Sequence, residues 1–226
     1  MEKNTNNNNM KNSSSSFPLL MLLCYLAEFI WLAIDPYDRA VWWAENIPVM
    51  IPVALLVLTY HRFRFSNLAY FLMTFFFMFH TFGGHYTFER APFDTVNGLL
   101  PYLNMDFLFP EGRNNFDRVG HYLVGILAYP LAELFLRKKW VANVPTAIFL
   151  GIVALGFWGA IYEVIEMYYA IAEGGESGAA FLGSQGDVWD AQKDMFLDIL
   201  GACSVFIVFG FSLSKWRRNG FDDYRL

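Results

Sequence analysis

The sequence predicts an all-α fold: a polytopic membrane helix bundle with six transmembrane helices. Three observations lead there. Hydrophobic residues make up 56% of the 226-residue chain and charged residues only 16%, against roughly 25% charged in soluble domains. Aromatics are abundant, with 24 Phe, 12 Tyr and 7 Trp, and such rings gather at bilayer interfaces. The apolar residues also fall into six segments, about 17–34, 46–60, 68–82, 119–136, 145–172 and 195–213.

Residues 1–16, MEKNTNNNNMKNSSSS, are rich in Asn and Ser and have little to bury, so they are expected to form a disordered cytoplasmic tail. Either Met1 or Met10 could serve as the start. A signal peptide is the rival reading, because Lys3 and Lys11 precede an apolar run. No small-residue cleavage site follows that run, which continues into LAIDPYDRAVWW. Residues 17–214 form a single six-helix domain, and 215–226 a basic cytoplasmic C-terminal tail. A span needs about 20 residues, with a range of about 17–25. The second and third segments are therefore short unless flanking residues extend them. The fifth is long enough to project beyond the hydrocarbon, and Pro145 suits its first turn.

Lys and Arg in the connections set the orientation. The N-terminal tail, 61–67, 137–144 and the C-terminus hold eleven of the sixteen Lys and Arg. The opposite side holds Arg39, Arg90, Arg113, Arg118 and Lys193. Six spans with both termini in the cytoplasm follow. Two connections, 83–118 and 173–186, then face outward as long loops suited to covering or binding roles. Cys24 and Cys203 lie inside apolar runs, where they read as small hydrophobes rather than a disulfide. No nucleic-acid-binding signature is present, so the expected partner is the lipid bilayer.

The acids are where the chemistry concentrates. Within DVWDAQKDMFLDILGA, Asp187, Asp190, Asp194 and Asp198 would share a helical stripe about 80° wide. Asp117 and His121 are four apart at the start of the fourth span, and Glu163 and Glu166 three apart in the outer part of the fifth. His80 and His85 bracket Gly83–Gly84, with Glu89 close behind. Measured from the inner end of each span, His121 and Asp198 lie about 22 Å up and Glu163 about 27 Å up. Helices four to six thus bring acids to one level on the outer side. Buried carboxylates at such a level need a cation, a proton or a basic partner.

A site mixing His with carboxylates suits a divalent cation, with Mg²⁺, Mn²⁺ and Zn²⁺ the candidates. Asp117, Glu166, Asp190, Asp194 and Asp198 are the expected metal ligands. His121 and Glu163 are the expected acid–base groups, and Arg118 would steady an anionic substrate such as a lipid headgroup. Plainer readings stand beside these. Asp187 and Asp190 also suit solvated acids at a helix N-terminus, His61 an interfacial residue, His85 and Glu89 a loop surface. Glu28, in the first span, calls for a buried Arg or Tyr partner.

The series Asp117-Arg118-x-x-His121, Glu163-x-x-Glu166 and Asp187-x-x-Asp190-x-x-x-Asp194-x-x-x-Asp198-x-x-Gly201-Ala202 resembles the YjdF family of bacterial inner membrane proteins. That resemblance covers nearly all of the chain after the tail, and implies fold and location rather than a reaction. More distantly, the layout is similar to VanZ-like membrane proteins, associated with glycopeptide resistance. Their pattern runs Asp-Lys-x-x-His, Glu-x-x-Gln and Asp-x-x-x-Asn-x-x-Gly. Arg118, Glu166 and Asp198 depart from it here, which makes this site more acidic.

Three functions fit these residues. One is a metal-dependent hydrolase or transferase acting on a lipid-linked or envelope substrate from the periplasmic side. A second is a cation or proton carrier, which would place further acids towards the cytoplasm. The third is a structural membrane-assembly protein whose acids pair internally with Arg90, Arg113 and Arg118.

Overall fold

In a computed structural model, which describes residues 5–219, the chain is an all-helical bundle with no strand among the described residues. The elements are α1 (Thr5–Leu32), α2 (Arg39–Thr59), α3 (Asn67–His85), α4 (Asp94–Asn97), α5 (Phe116–Val124), α6 (Ala128–Arg137), α7 (Val144–Glu173), α8 (Gly175–Leu182) and α9 (Asp190–Asn219). Short 3₁₀ segments occupy Leu100–Leu103 and Gly125–Leu127, and the second joins α5 to α6 as one rod.

Four stretches among the described residues are long and apolar enough to cross a membrane: Arg39–Thr59, Phe116–Arg137, Val144–Glu173 and Asp190–Lys215. The shorter apolar helix Ser16–Leu32 and the 19-residue α3 take the places of the first and third apolar segments. Large apolar side chains point outward, among them Leu58, Phe157, Ile207 and Phe211, as helices bathed in lipid require. Cys24 and Cys203 are free and lie on this outer surface.

Local chemistry explains most boundaries. Asp38 accepts the N–H groups of Ala40 and Val41 at 2.8 and 3.0 Å and so caps α2. The bond from Val41 N–H, joined by those from Ser177 and Ala40, holds the Asp38 carboxyl below its ordinary range against a smaller burial effect. Ser66 caps α3 and Asn143 caps α7. Flanking residues lengthen the two short segments, so α2 reaches 21 residues and α3 reaches 19.

Three differences from expectation stand out. The backbone of residues 5–16 continues α1 where composition predicts a disordered tail; once the apolar segment nucleates a helix, each added residue gains a hydrogen bond. Residues 1–4 and 220–226, the ends of the two expected tails, lie outside the described residues. The outward connection 173–186 carries α8, and Asp187 sits in the turn before α9 rather than on it. Gly183 and Gly186, with φ of +64° and +86°, form the turn that separates them.

The core lies where α3, α6, α7 and α9 meet, around Ala69, Phe76, Tyr129, Leu155 and Val205. Small residues let backbones approach closely there. A Cβ on Gly201 would strike the Tyr122 carbonyl, and one on Gly125 would strike the Ala202 amide. At the end where α6 meets the start of α3, buried Glu133 accepts Ser66 N–H at 2.8 Å, Ser66 Oγ–H at 2.6 Å and Arg137 at 2.7 Å. That locks α6 to the start of α3.

Candidate functional site

The half of the bundle that carries the connections 83–118 and 173–186 holds two linked groups of polar side chains. The first is an ion-pair hub around Arg118. Phe116 starts α5, so Asp117, Arg118 and His121 all lie in its first turns. Arg118 is fully buried. Its Nη2 donates to Asp187 at 2.9 Å and to Asp190 at 2.7 Å, and its Nη1 to the Leu108 carbonyl at 3.2 Å. Its Nε lies 3.1 Å from Asp194. Arg113 adds a second guanidinium, 2.8 Å from Asp190, and donates to the carbonyls of Gly183 and Ser184. Lys193 reaches Asp187 at 2.6 Å.

Burial would raise the Asp187 carboxyl, but its bonds from Lys193, the Trp189 N–H and Arg118 prevail and hold it well below the carboxylate range. Asp187, Asp190 and Asp194 thus face cations of the protein itself. The Gln185 side-chain amide stitches the two connections together, accepting the Asn114 N–H and donating to the Asn114 carbonyl, both at 3.0 Å.

The second group surrounds His121. Its Nδ1 faces Asp198 Oδ1 at 3.0 Å. With the carboxylate as partner the Nδ1–H is the donor. Nε2 points towards Glu163 Oε1 at 3.6 Å and Asp117 Oδ1 at 3.8 Å. One ligand atom each from Asp117, His121 and Asp194 lie within 4.8 Å of one another. Asp198 Oδ2 and Glu163 Oε1 are buried and accept no hydrogen bond. Gly159 makes room for Asp198, since a Cβ there would collide with Oδ2.

These residues border a cavity of about 520 Å³, within the roughly 300–1,000 Å³ of small-molecule sites. Asp117, His121, Glu166 and Asp198 line its outer end, together with Glu45, His80 and Tyr162. Tyr162 donates to Glu45 Oε2 at 2.7 Å, and His80 Nε2 lies 3.0 Å from the Glu45 carbonyl and 3.3 Å from Oε2. Pro48 and Pro52 of α2 also line it; each lacks the N–H that an interior helix position would donate.

The eight expected site residues therefore come together, but in two environments. Asp117, His121, Glu166 and Asp198 reach the cavity, and Glu163 lies beside the His121 Nε2 at 3.6 Å. Arg118 and Asp190 are enclosed in the ion-pair hub, and Asp194 joins the two. His85 bonds the Leu32 carbonyl instead of facing the cavity, and Glu28 Oε2 is buried without a hydrogen-bond partner. Sequence reasoning passed over Glu45 and Tyr162. Glu45 had a signal, being an acid within the apolar stretch of α2, flanked by WWA and NIPVM.

A curated relative, the inner membrane protein YjdF of Escherichia coli (strain K12), is 31% identical over 210 residues, 92% of this chain and 93% of the relative. No solved structure matches the chain. The family described as "Predicted membrane protein (DUF2238)" matches residues 17–215, and the chain belongs to that family.

Proposed function

We propose that this inner membrane protein crosses the bilayer six times with both termini in the cytoplasm. Its outer cavity is the site of a metal-dependent hydrolase or transferase acting on a lipid-linked or envelope substrate. One observation carries this reading: Asp117, His121 and Asp194 offer converging ligand atoms, flanked by two buried carboxylate oxygens with no hydrogen-bond partner. A mixed nitrogen and carboxylate set suits Zn²⁺ or Mn²⁺ and admits Mg²⁺. When bound, such a cation polarises a phosphoryl or carbonyl oxygen and lowers the pKa of bound water.

The chain's own groups divide the remaining work. Asp198 orients the His121 ring through Nδ1. Glu163, 3.6 Å from Nε2, is the general base that takes a proton from an attacking water or hydroxyl. Arg118 is a positioning residue: enclosed by Asp187, Asp190 and Asp194, it sets the height of α9 against α5. Asp190 serves the same hub.

The carrier alternative would require polar groups continuing inward. The nearest acid in that direction on the rod, Glu133, is held by Ser66 and Arg137 and does not line the cavity, which favours a one-sided site. The structural alternative draws support from the hub, where three acids already face protein cations.

Metal content decides between them. Protein purified in detergent should carry near-stoichiometric divalent metal, lost in an Asp194→Asn/Glu163→Gln double variant that still elutes as a folded species. No metal in the wild type after incubation with Mg²⁺, Mn²⁺ or Zn²⁺ would leave the acids with a proton-coupled or structural role.

A further inference from the structure

The cavity does not end at its polar groups. Below them it continues between α2, α3, the α5–α6 rod and α7, lined by Val49, Met73, Phe77, Leu127, Leu131 and Leu155. From Glu166 to Leu155 along α7 is about 16 Å at 1.5 Å per residue. The space is thus a slot, carboxylate-rich at the outer end and apolar along its length.

The slot also has a side opening. Among its lining residues, Ile51 and Leu55 of α2 are 56% and 55% exposed and Trp158 of α7 is 47% exposed. In a helix bundle with lipid around it, exposure at that depth means contact with acyl chains. The slot is therefore open to the membrane interior between α2 and α7, rather than only to the aqueous side.

The charge at the polar end narrows the occupant. Glu45, Asp117, Glu166 and Asp198 line it, and neither Arg nor Lys does. Arg113, Arg118 and Lys193 are all turned into the hub. Asp198 is fully buried and its Oδ2 has no hydrogen-bond partner. Buried carboxylates so placed call for a positive charge from the occupant. A metal at His121 would use Asp117; Glu166, and Glu45 with only the neutral Tyr162 hydroxyl and the His80 ring beside it, then remain to meet a second positive group.

We infer that the slot takes one alkyl chain of an amine-headed membrane lipid, admitted sideways between α2 and α7, with its ammonium group held by Glu45 and Glu166. This names the substrate class for the site proposed above and rests on that reading only for the role of the metal. The ammonium places up to three N–H donors among the Glu45 and Glu166 carboxylates and the Tyr162 hydroxyl oxygen.

Trp158 at the opening supplies the readout. Delipidated protein in detergent would be titrated with phosphatidylethanolamine or phosphatidylglycerol carrying brominated chains, which quench nearby indoles. The Trp158 signal is taken as the difference from a Trp158→Phe variant. Saturable quenching is expected at a concentration at least tenfold lower for the ethanolamine head. Glu45→Gln/Glu166→Gln should erase that preference while keeping saturable quenching by both lipids. Ala154→Phe, which fills the slot, should abolish saturation, whereas Val153→Phe, on the exposed side of α7, should not. Equal response to both heads in the wild type, or saturation surviving Ala154→Phe, would overturn the inference. Metal content of the same samples separates the two proposals: saturable, head-selective quenching without metal would sink the metal reading and leave the lipid slot standing.

Discussion

Replacing Arg118 with Met tests whether the hub holds the outer bundle together. The change keeps most of the side chain's length and apolar volume but removes the charge from a fully buried site. Three carboxylates lose their shared partner, at contacts of 2.9, 2.7 and 3.1 Å. Breaking a buried ion pair by removing one member costs about 3–5 kcal/mol, mostly because the partner is left buried and uncompensated. Here Asp190 retains Arg113 and Asp187 retains Lys193, so Asp194 is the carboxylate most exposed to that cost. The expected loss is therefore about 3 kcal/mol, the lower end of the range.

A thermal or denaturant unfolding series in detergent measures it. The double variant Arg118→Met/Asp194→Asn should recover at least about 1 kcal/mol relative to the single change, a coupling in the range expected for contacting residues. Arg118→Lys should fall between, because a single ammonium cannot span the guanidinium's separate contacts. If Arg118→Met stays within about 1 kcal/mol of the wild type, as ordinary exposed pairs do, the hub is not what orders α5 against α9. The positioning role given to Arg118 would then fail with it.

Other outcomes follow from neighbouring features. Gly159→Ala should push Asp198 away from His121 and lower metal affinity about 10–100-fold, as loss of an outer-shell partner does; unchanged affinity would mean that Asp198 does not orient the ring. Because Asp187 titrates below its ordinary range, the stability it supplies is present above its unfolded pKa of about 3.9 and is lost as pH falls through the lower folded value. Asp187→Asn should therefore flatten the acid limb of a stability-against-pH curve, and an identical limb in both proteins would refute that linkage. Reporters fused after Leu226 and near Asn97 should report cytoplasm and periplasm respectively; the same side for both would sink the six-crossing topology.

Much of this could be read from the chain because membrane helices announce themselves by composition. The six apolar segments all reappear as helices, and the four-residue spacing of Asp117 and His121 becomes a shared helix face once α5 begins at Phe116. What stayed hidden is three-dimensional partnership. Nothing in their spacing decides whether Arg113 and Arg118 pair with the acids, as the structural reading expects, or face a substrate, and nothing marks Lys193 as the partner of Asp187. Glu45 lies 117 positions from Tyr162, so only the assembled bundle puts the two in one pocket. The turn before α9 depends on positive φ at two glycines, which a helical wheel drawn through Asp187 ignores.

The 3₁₀ segment Gly125–Leu127 acts as a phase adjuster within a single rod. Three residues at 3.0 per turn advance about 60° further, and rise about 1.5 Å more, than they would as α-helix. Below it, Glu133 is clamped to Ser66; above it, Asp117 and His121 meet α7 and α9. The azimuth of Asp117 and His121 is thus set relative to a fixed foot by how tightly one turn is wound. Gly125 has no space for a Cβ against Ala202, so the winding is in turn enforced by the neighbouring helix. Any change that relaxed this turn would rotate Asp117 and His121 as one unit, carrying them out of line with Glu163 on α7 and Asp198 on α9.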